Sequence, residues 1–97
     1  MKELEEYRKE IDEINKQIVE LFEKRMDLSG KISKYKSEHH LPILNKGREE
    51  EVLEKNISRL QNKEYSQMAG EFFETIMRLS KEHQQILNNG WTIVKTL

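Results

Sequence analysis

The chain has 97 residues, with 36% charged and 35% hydrophobic side chains, so the apolar residues must be concentrated on narrow stripes, as they are on long amphipathic helices. One proline and four glycines argue against a turn-rich β-sandwich or barrel, and the lack of cysteine excludes disulfides and thiolate zinc sites. The 17 Lys and Arg against 18 Asp and Glu give a net charge of -1, without the basic excess that nucleic-acid binding needs.

The first predicted element, which we call α1, is one long helix from about Lys2 to His39. Its apolar residues alternate at spacings of three and four, which is typical of a helix that packs along a seam. We call this set the α1 seam: Leu4, Tyr7, Ile11, Ile14, Ile18, Leu21, Leu28, Ile32 and Tyr35. The helix is about 55 Å long at 1.5 Å per residue, about twice the diameter of a compact monomer of this size. We therefore expect a partner chain to cover the overhang.

A short second helix is predicted after a loop. Pro42 ends the first helix, because its ring cannot continue the helical hydrogen bonding and it restricts the preceding residue. Helix resumes near Asn45 or Lys46, with Asn45 as a possible N-cap, and its apolar pattern runs toward Gln61.

A third helix is predicted from the apolar spacing between Tyr65 and Leu87. The sequence Asn88-Asn89-Gly90 is a good helix C-cap, so the helix is expected to end there. The fold class is thus all-α, with one long helix, one short helix and a third helix. Residues 1–87 form one helical domain, and residues 88–97 form a tail to which the sequence assigns no role.

One charged residue interrupts the α1 seam, since the spacing from Leu21 to Leu28 passes through Arg25. Burying an unpaired charge costs several kcal/mol, so Arg25 requires an anion from the protein or from a ligand. Lys36 returns to nearly the same face about 16 Å further along the helix. The two cations could straddle a small dianion. The alternatives are an intramolecular ion pair or snorkelling for Arg25 and plain solvation for Lys36.

Further polar candidates lie on the second and third helices. Ser80 and Gln84 sit one helical turn apart and extend the apolar row of the third helix, as paired hydrogen-bond donors or as ordinary surface residues. Asn45, Arg48 and Glu49 place an amide, a cation and a carboxylate at the start of the second helix. Capping and the helix dipole are the alternative explanation for them.

No metal site and no cofactor is predicted. His39 and His40 would point about 100° apart on a helix, and no third ligand is near them. The chain has no glycine-rich phosphate loop, nucleophile elbow or metalloprotease motif. Its charged N-terminus and the lack of an 18-residue apolar run predict neither a secretory signal nor contact with a membrane, so we expect a cytoplasmic protein.

The segments YRKEID, EKRMDLSGKISKYK, LPILNKGREEEVL and RLSKEHQQ, in this order, resemble the all-helical (type II) chorismate mutases over about residues 4–87. The resemblance rests on the spacing of cations along one long helix, the proline that ends it, Arg-Glu opening the next and Ser-x-x-x-Gln on the last. It implies an intertwined homodimer that rearranges chorismate to prephenate, the branch-point step toward phenylalanine and tyrosine. Such a pericyclic reaction requires no nucleophile, metal or cofactor.

The resemblance also implies the catalytic residues. Arg25 and Lys36 would bind the carboxylates of chorismate, and Lys36 would also reach the ether oxygen. Gln84 would donate a hydrogen bond to that same oxygen. Glu49 would accept the ring hydroxyl.

The remaining residues of the motif would bind the substrate. Ser80 and Arg48 would border the carboxylate region, and Arg8 would come from the other subunit of the homodimer. Asn45 stands where the family usually has Asp, so this chain has no charge at that position. An amide or a backbone contact could still serve the hydroxyl.

Two alternatives stay open. An isochorismate pyruvate-lyase of the same fold would bind a nearly identical dianion with similar cations. A non-catalytic helical dimerisation module would explain the seam and the surface charge, although not a guanidinium in the seam.

Overall fold

The described residues form three α-helices, as predicted. The computed structural model describes the backbone of residues 1–96 and the side chains of residues 1–88. The helices are α1 (Lys2–Glu38), α2 (Lys46–Ser58) and α3 (Ser66–Thr96), with a short 3₁₀ turn (Lys63–Tyr65) before α3. The chain measures 57 × 31 × 15 Å, and its radius of gyration of 17.5 Å exceeds the roughly 13 Å of a compact domain of this length. The elongated shape follows from the length of α1.

Helix α1 ends at Glu38, close to the predicted His39. The hydrogen bonds that end it are made by residues ahead of Pro42. The amide of His40 donates to the carbonyl of Ser37, and the amide of Leu41 donates to the carbonyl of Lys36 at 2.8 Å. These two bonds form a Schellman motif, with His40 in the left-handed position that glycine usually takes (φ 55°). The motif reverses the chain direction just ahead of Pro42.

The start of α2 confirms the predicted N-cap. The side-chain oxygen of Asn45 accepts a hydrogen bond from the backbone amide of Arg48 at 3.1 Å. This bond satisfies one of the amides that have no partner within the first turn of a helix. The helix ends at Ser58, slightly before the predicted Gln61.

The predicted end of the third helix at Asn88-Asn89-Gly90 is wrong, because α3 continues to Thr96. A single glycine in a helix costs about 1 kcal/mol relative to alanine, which is too little to end a helix by itself. The predicted tail therefore continues the helix through Thr96. Its side chains beyond Asn88, and all of Leu97, lie outside the described residues, so its role stays open.

The α1 seam does not form the contact between α1 and α3, and its residues are 45–63% exposed in the single chain. The face of α1 that meets α3 is instead a row of small and polar residues that begins at Arg25 and includes Ser29 and Ser33. Among the described residues, none of the helices has an apolar stretch that could span a lipid bilayer.

Candidate active site

The contact between α1 and α3 is built from polar side chains. Within the described part of the chain, the buried side chains are one apolar residue, Met77, and four polar ones, Ser29, Ser33, Ser80 and Gln84. A spacing of four residues places each polar pair on one face of its helix. Because buried polar groups destabilise a fold unless they are hydrogen-bonded, each of these side chains needs a partner.

A hydrogen-bond network joins the two rows. The side-chain nitrogen of Gln84 donates to the Ser29 hydroxyl at 2.9 Å, and that hydroxyl lies 3.4 Å from the backbone carbonyl of Ser80. One turn further on, the Ser33 hydroxyl lies 3.1 Å from the side-chain oxygen of Asn88 and 3.4 Å from the carbonyl of Gln84. The network determines which face of α3 is turned toward α1.

Arg25 lies at one end of this network. Its guanidinium donates to the hydroxyl of Ser80. Burial lowers the pKa of Arg25 below its ordinary value, and the nearby charge of Arg48 lowers it further. No carboxylate lies within 4 Å of Arg25 in the described residues, so the intramolecular ion pair that the sequence left open is not formed there. Arg25 thus offers a half-buried cation that has no carboxylate partner among the described residues.

Gln84 is positioned to offer a neutral hydrogen-bond donor in the same region. Its amide nitrogen carries two N–H groups, and the bond to Ser29 uses one of them. Its side-chain oxygen is buried and has no hydrogen-bond partner among the described residues. A buried polar atom without a hydrogen bond lowers the stability of the fold by about 1–3 kcal/mol. Ser29 therefore holds the amide nitrogen of Gln84 in place, while the amide oxygen has no partner among the described residues.

The structure does not bring Lys36 into this network. Its ammonium donates to the backbone carbonyl of Ile43 at 2.8 Å and so holds the loop after α1 against the end of the helix. An ammonium has three N–H donors, and this bond uses one. Lys36 is half-buried, which disfavours the fully solvated alternative.

The three candidate residues at the start of α2 each contact a different partner, and none of these partners belongs to the network between α1 and α3. Asn45 is exposed and caps the helix, and Arg48 forms an exposed ion pair with Glu51 at 2.8 Å. Glu49 is half-buried and forms an ion pair with Lys81 of α3, with 3.0 Å between Oε2 and Nζ. This pair connects α2 to the helix that carries Ser80 and Gln84.

Arg8 is not part of the site in its own chain. It is exposed near the start of α1, and at 1.5 Å per residue it lies about 25 Å from Arg25 along the helix axis. Two outstretched side chains cannot bridge that distance onto one small molecule.

Three contributors to this region were not predicted from the sequence, namely Ser29, Ser33 and Lys81. The two serines continue from Arg25 at steps of four residues, a second helical row that the stronger apolar pattern of the α1 seam concealed. Lys81 directly follows Ser80, and nothing in a charge-rich sequence separates it from other surface lysines.

Chemically, the site offers a cation and neutral donors. Arg25 supplies positive charge, and Ser80 and Gln84 supply uncharged hydrogen-bonding groups. This set can bind an anionic ligand and stabilise charge that develops on an oxygen atom.

Comparisons with known proteins converge on one family. The profile for chorismate mutase type II matches residues 7–85. A bifunctional chorismate mutase/prephenate dehydratase of Aquifex aeolicus is 45% identical over 65 residues, covering 67% of this chain and 18% of that protein. The T-protein of Haemophilus influenzae is 31% identical over 78 residues, covering 80% of this chain and 20% of that protein. The chain thus spans a fifth or less of each relative's length, and no solved structure matches it significantly.

Proposed function

The chain belongs to the chorismate mutase type II family, and from this premise we propose that it catalyses the rearrangement of chorismate to prephenate in aromatic amino acid biosynthesis. The observation that carries the proposal is the hydrogen-bond network in which the half-buried Arg25 contacts Ser80 and the buried Gln84 contacts Ser29, all within the matched residues. The reaction is intramolecular and pericyclic, so the protein contributes conformation and electrostatics instead of a nucleophile. We place the enzyme in the cytoplasm.

Arg25 and Lys36 bind the two carboxylates of the substrate. Arg25 is half-buried and lacks a protein carboxylate within 4 Å in the described part of the chain, which suits a residue that receives an anionic ligand. Lys36 retains two N–H donors beyond its bond to Ile43, and these reach a carboxylate and the ether oxygen. Ser80 and Arg48 border the same carboxylate region.

Gln84 donates its second amide N–H to the ether oxygen. As the C–O bond breaks, negative charge grows on that oxygen, and a donor already aimed at it stabilises the transition state more than the ground state. Glu49 accepts the ring hydroxyl of the substrate. Asn45, whose side-chain oxygen caps α2, contributes to that hydroxyl contact at most through its backbone or its amide N–H.

The working enzyme is an intertwined homodimer with two composite sites. The exposed α1 seam is a long apolar stripe, and a stripe of this kind in a water-soluble helix is typical of a surface that packs against another chain. A second copy that covers the seam also brings its Arg8 to the site, which its own chain cannot do. Each site then receives Arg25 from one subunit and Arg8 from the other.

We expect the purified chain to consume chorismate with the formation of prephenate. The measurement is the loss of chorismate absorbance together with identification of the product, and isochorismate is tested in parallel. Release of pyruvate from isochorismate as the main activity would favour the lyase. No turnover of either substrate, together with no thermal stabilisation by a bicyclic transition-state analogue, would leave the dimerisation module as the explanation.

We expect the inactive variants Arg8→Ala and Arg25→Ala to restore activity when mixed. A heterodimer of the two has one site with both arginines and one site with neither. Random exchange makes half of the dimers hybrid, so activity recovers to about a quarter of the wild-type value. The measurement is the turnover rate of a mixture whose subunit exchange is confirmed by mass spectrometry. Complete exchange without recovery would contradict a site shared between subunits.

A further inference from the structure

We propose that Lys81 is a positioning residue, which holds the Glu49 carboxylate in the orientation that receives the ring hydroxyl of the substrate. The inference rests on the proposed function, because it assigns a partner to a residue of that same site. It concerns a contact between α2 and α3 that the sequence resemblance does not include.

The Lys81–Glu49 pair differs from the other ion pairs of the described residues. Both of the others, Arg48–Glu51 and Arg78–Glu82, join neighbouring turns of one helix, and their side chains are 51–61% exposed. Lys81 and Glu49 lie on different helices, and their side chains are 36% and 26% exposed. An ion pair that is partly shielded from water is screened less, so it orients its partners more strongly than a fully exposed pair.

The surroundings of Glu49 are rich in negative charge. A cavity of about 350 Å³ lies between α2 and α3, and three carboxylates line it, those of Glu49, Glu50 and Glu74. Two ammonium groups, those of Lys46 and Lys81, line the same cavity. Of these two, Lys81 is the one within 4 Å of Glu49. Without it, repulsion from the other carboxylates and from the dianionic substrate would turn Glu49 away from the ligand.

The geometry of the pair leaves part of Glu49 available. Lys81 contacts Oε2 at 3.0 Å, while no hydrogen bond or ion pair in the described part of the chain engages Oε1. A carboxylate can accept several hydrogen bonds, so Oε1 receives the substrate hydroxyl while Oε2 stays anchored. Lys81 also lies between Ser80 and Gln84 on α3, so it aligns Glu49 with the helix that carries them.

The test is the variant Lys81→Met, which keeps the length of the side chain and removes its charge. The hydroxyl contact is present in both the ground state and the transition state, so we expect KM to rise about three- to tenfold with little change in kcat. Lys81→Arg restores the charge and is expected to return KM toward the wild-type value. Arg78→Met is the matched control, since it removes a cation and an ion pair from the same helix and should leave KM unchanged.

A double-mutant cycle separates positioning from a general structural effect. In the Glu49→Gln background the charge pair no longer exists, so adding Lys81→Met should have no further effect on KM. An equal loss in both backgrounds, or an unchanged KM for Lys81→Met in the wild-type background, would overturn the inference while leaving the proposed function in place. A wild-type chain that does not convert chorismate would overturn both. Thermal unfolding of every variant identifies any loss caused by instability.

Discussion

Replacing Arg25 with methionine is expected to lower kcat/KM by about 10²- to 10³-fold, which is the typical cost of removing one preorganised group that faces developing charge. The same variant should unfold at the same or a higher temperature than the wild type. Burial and the charge of Arg48 lower the pKa of Arg25, which means that the folded state disfavours its charged form. The guanidinium is charged throughout the neutral range, so its charge opposes folding there and its removal relieves that opposition.

The measurement combines steady-state kinetics with thermal unfolding. Lys24→Met is the matched control, because it removes a neighbouring cation of α1 that is exposed. The control should keep both its activity and its stability. An Arg25→Met protein that is unfolded would show that the hydrogen bond to Ser80 is primarily structural, and the assignment of Arg25 to the substrate would then fail.

The variant Gln84→Glu is expected to make activity strongly dependent on pH. The amide of Gln84 donates a hydrogen bond at every pH, so the wild-type rate should be roughly flat through neutral pH. A glutamic acid at the same position donates only when it is protonated, and its ionised form would repel the charge on the ether oxygen. Activity should therefore persist at acidic pH and fall as pH rises. Burial would raise the pKa of the new carboxyl group and the nearby cations would lower it.

The comparison requires kcat/KM from about pH 4.5 to 8.5, with folding checked at both ends of the range. Gln85→Glu introduces the same change at the neighbouring, exposed position and should keep the flat profile of the parent. If Gln84→Glu also shows a flat profile, Gln84 is not the donor to the ether oxygen.

Much of the candidate site could be found from the sequence because its residues stand out locally. Arg25 interrupts an apolar pattern, and Ser80 and Gln84 do the same on the third helix, so each is conspicuous without knowledge of the fold. The cap of α2 by Asn45 was also predictable, since a capping bond joins residues only three positions apart. The network among these side chains could not be predicted from the sequence, because it joins α1 to α3 across distant parts of the chain.

The sequence by itself determined that the protein is all-α, that its first helix is very long and that its motifs are those of the family. Helical periodicity and turn signals are local, so they can be recognised without tertiary contacts. Only the tertiary structure decided which face of α1 meets α3. An apolar seam and a polar row both repeat with helical spacing, and docking turns the polar row toward α3 while the seam stays exposed. The Glu49–Lys81 pair likewise depends on how α2 lies against α3, which no local pattern specifies.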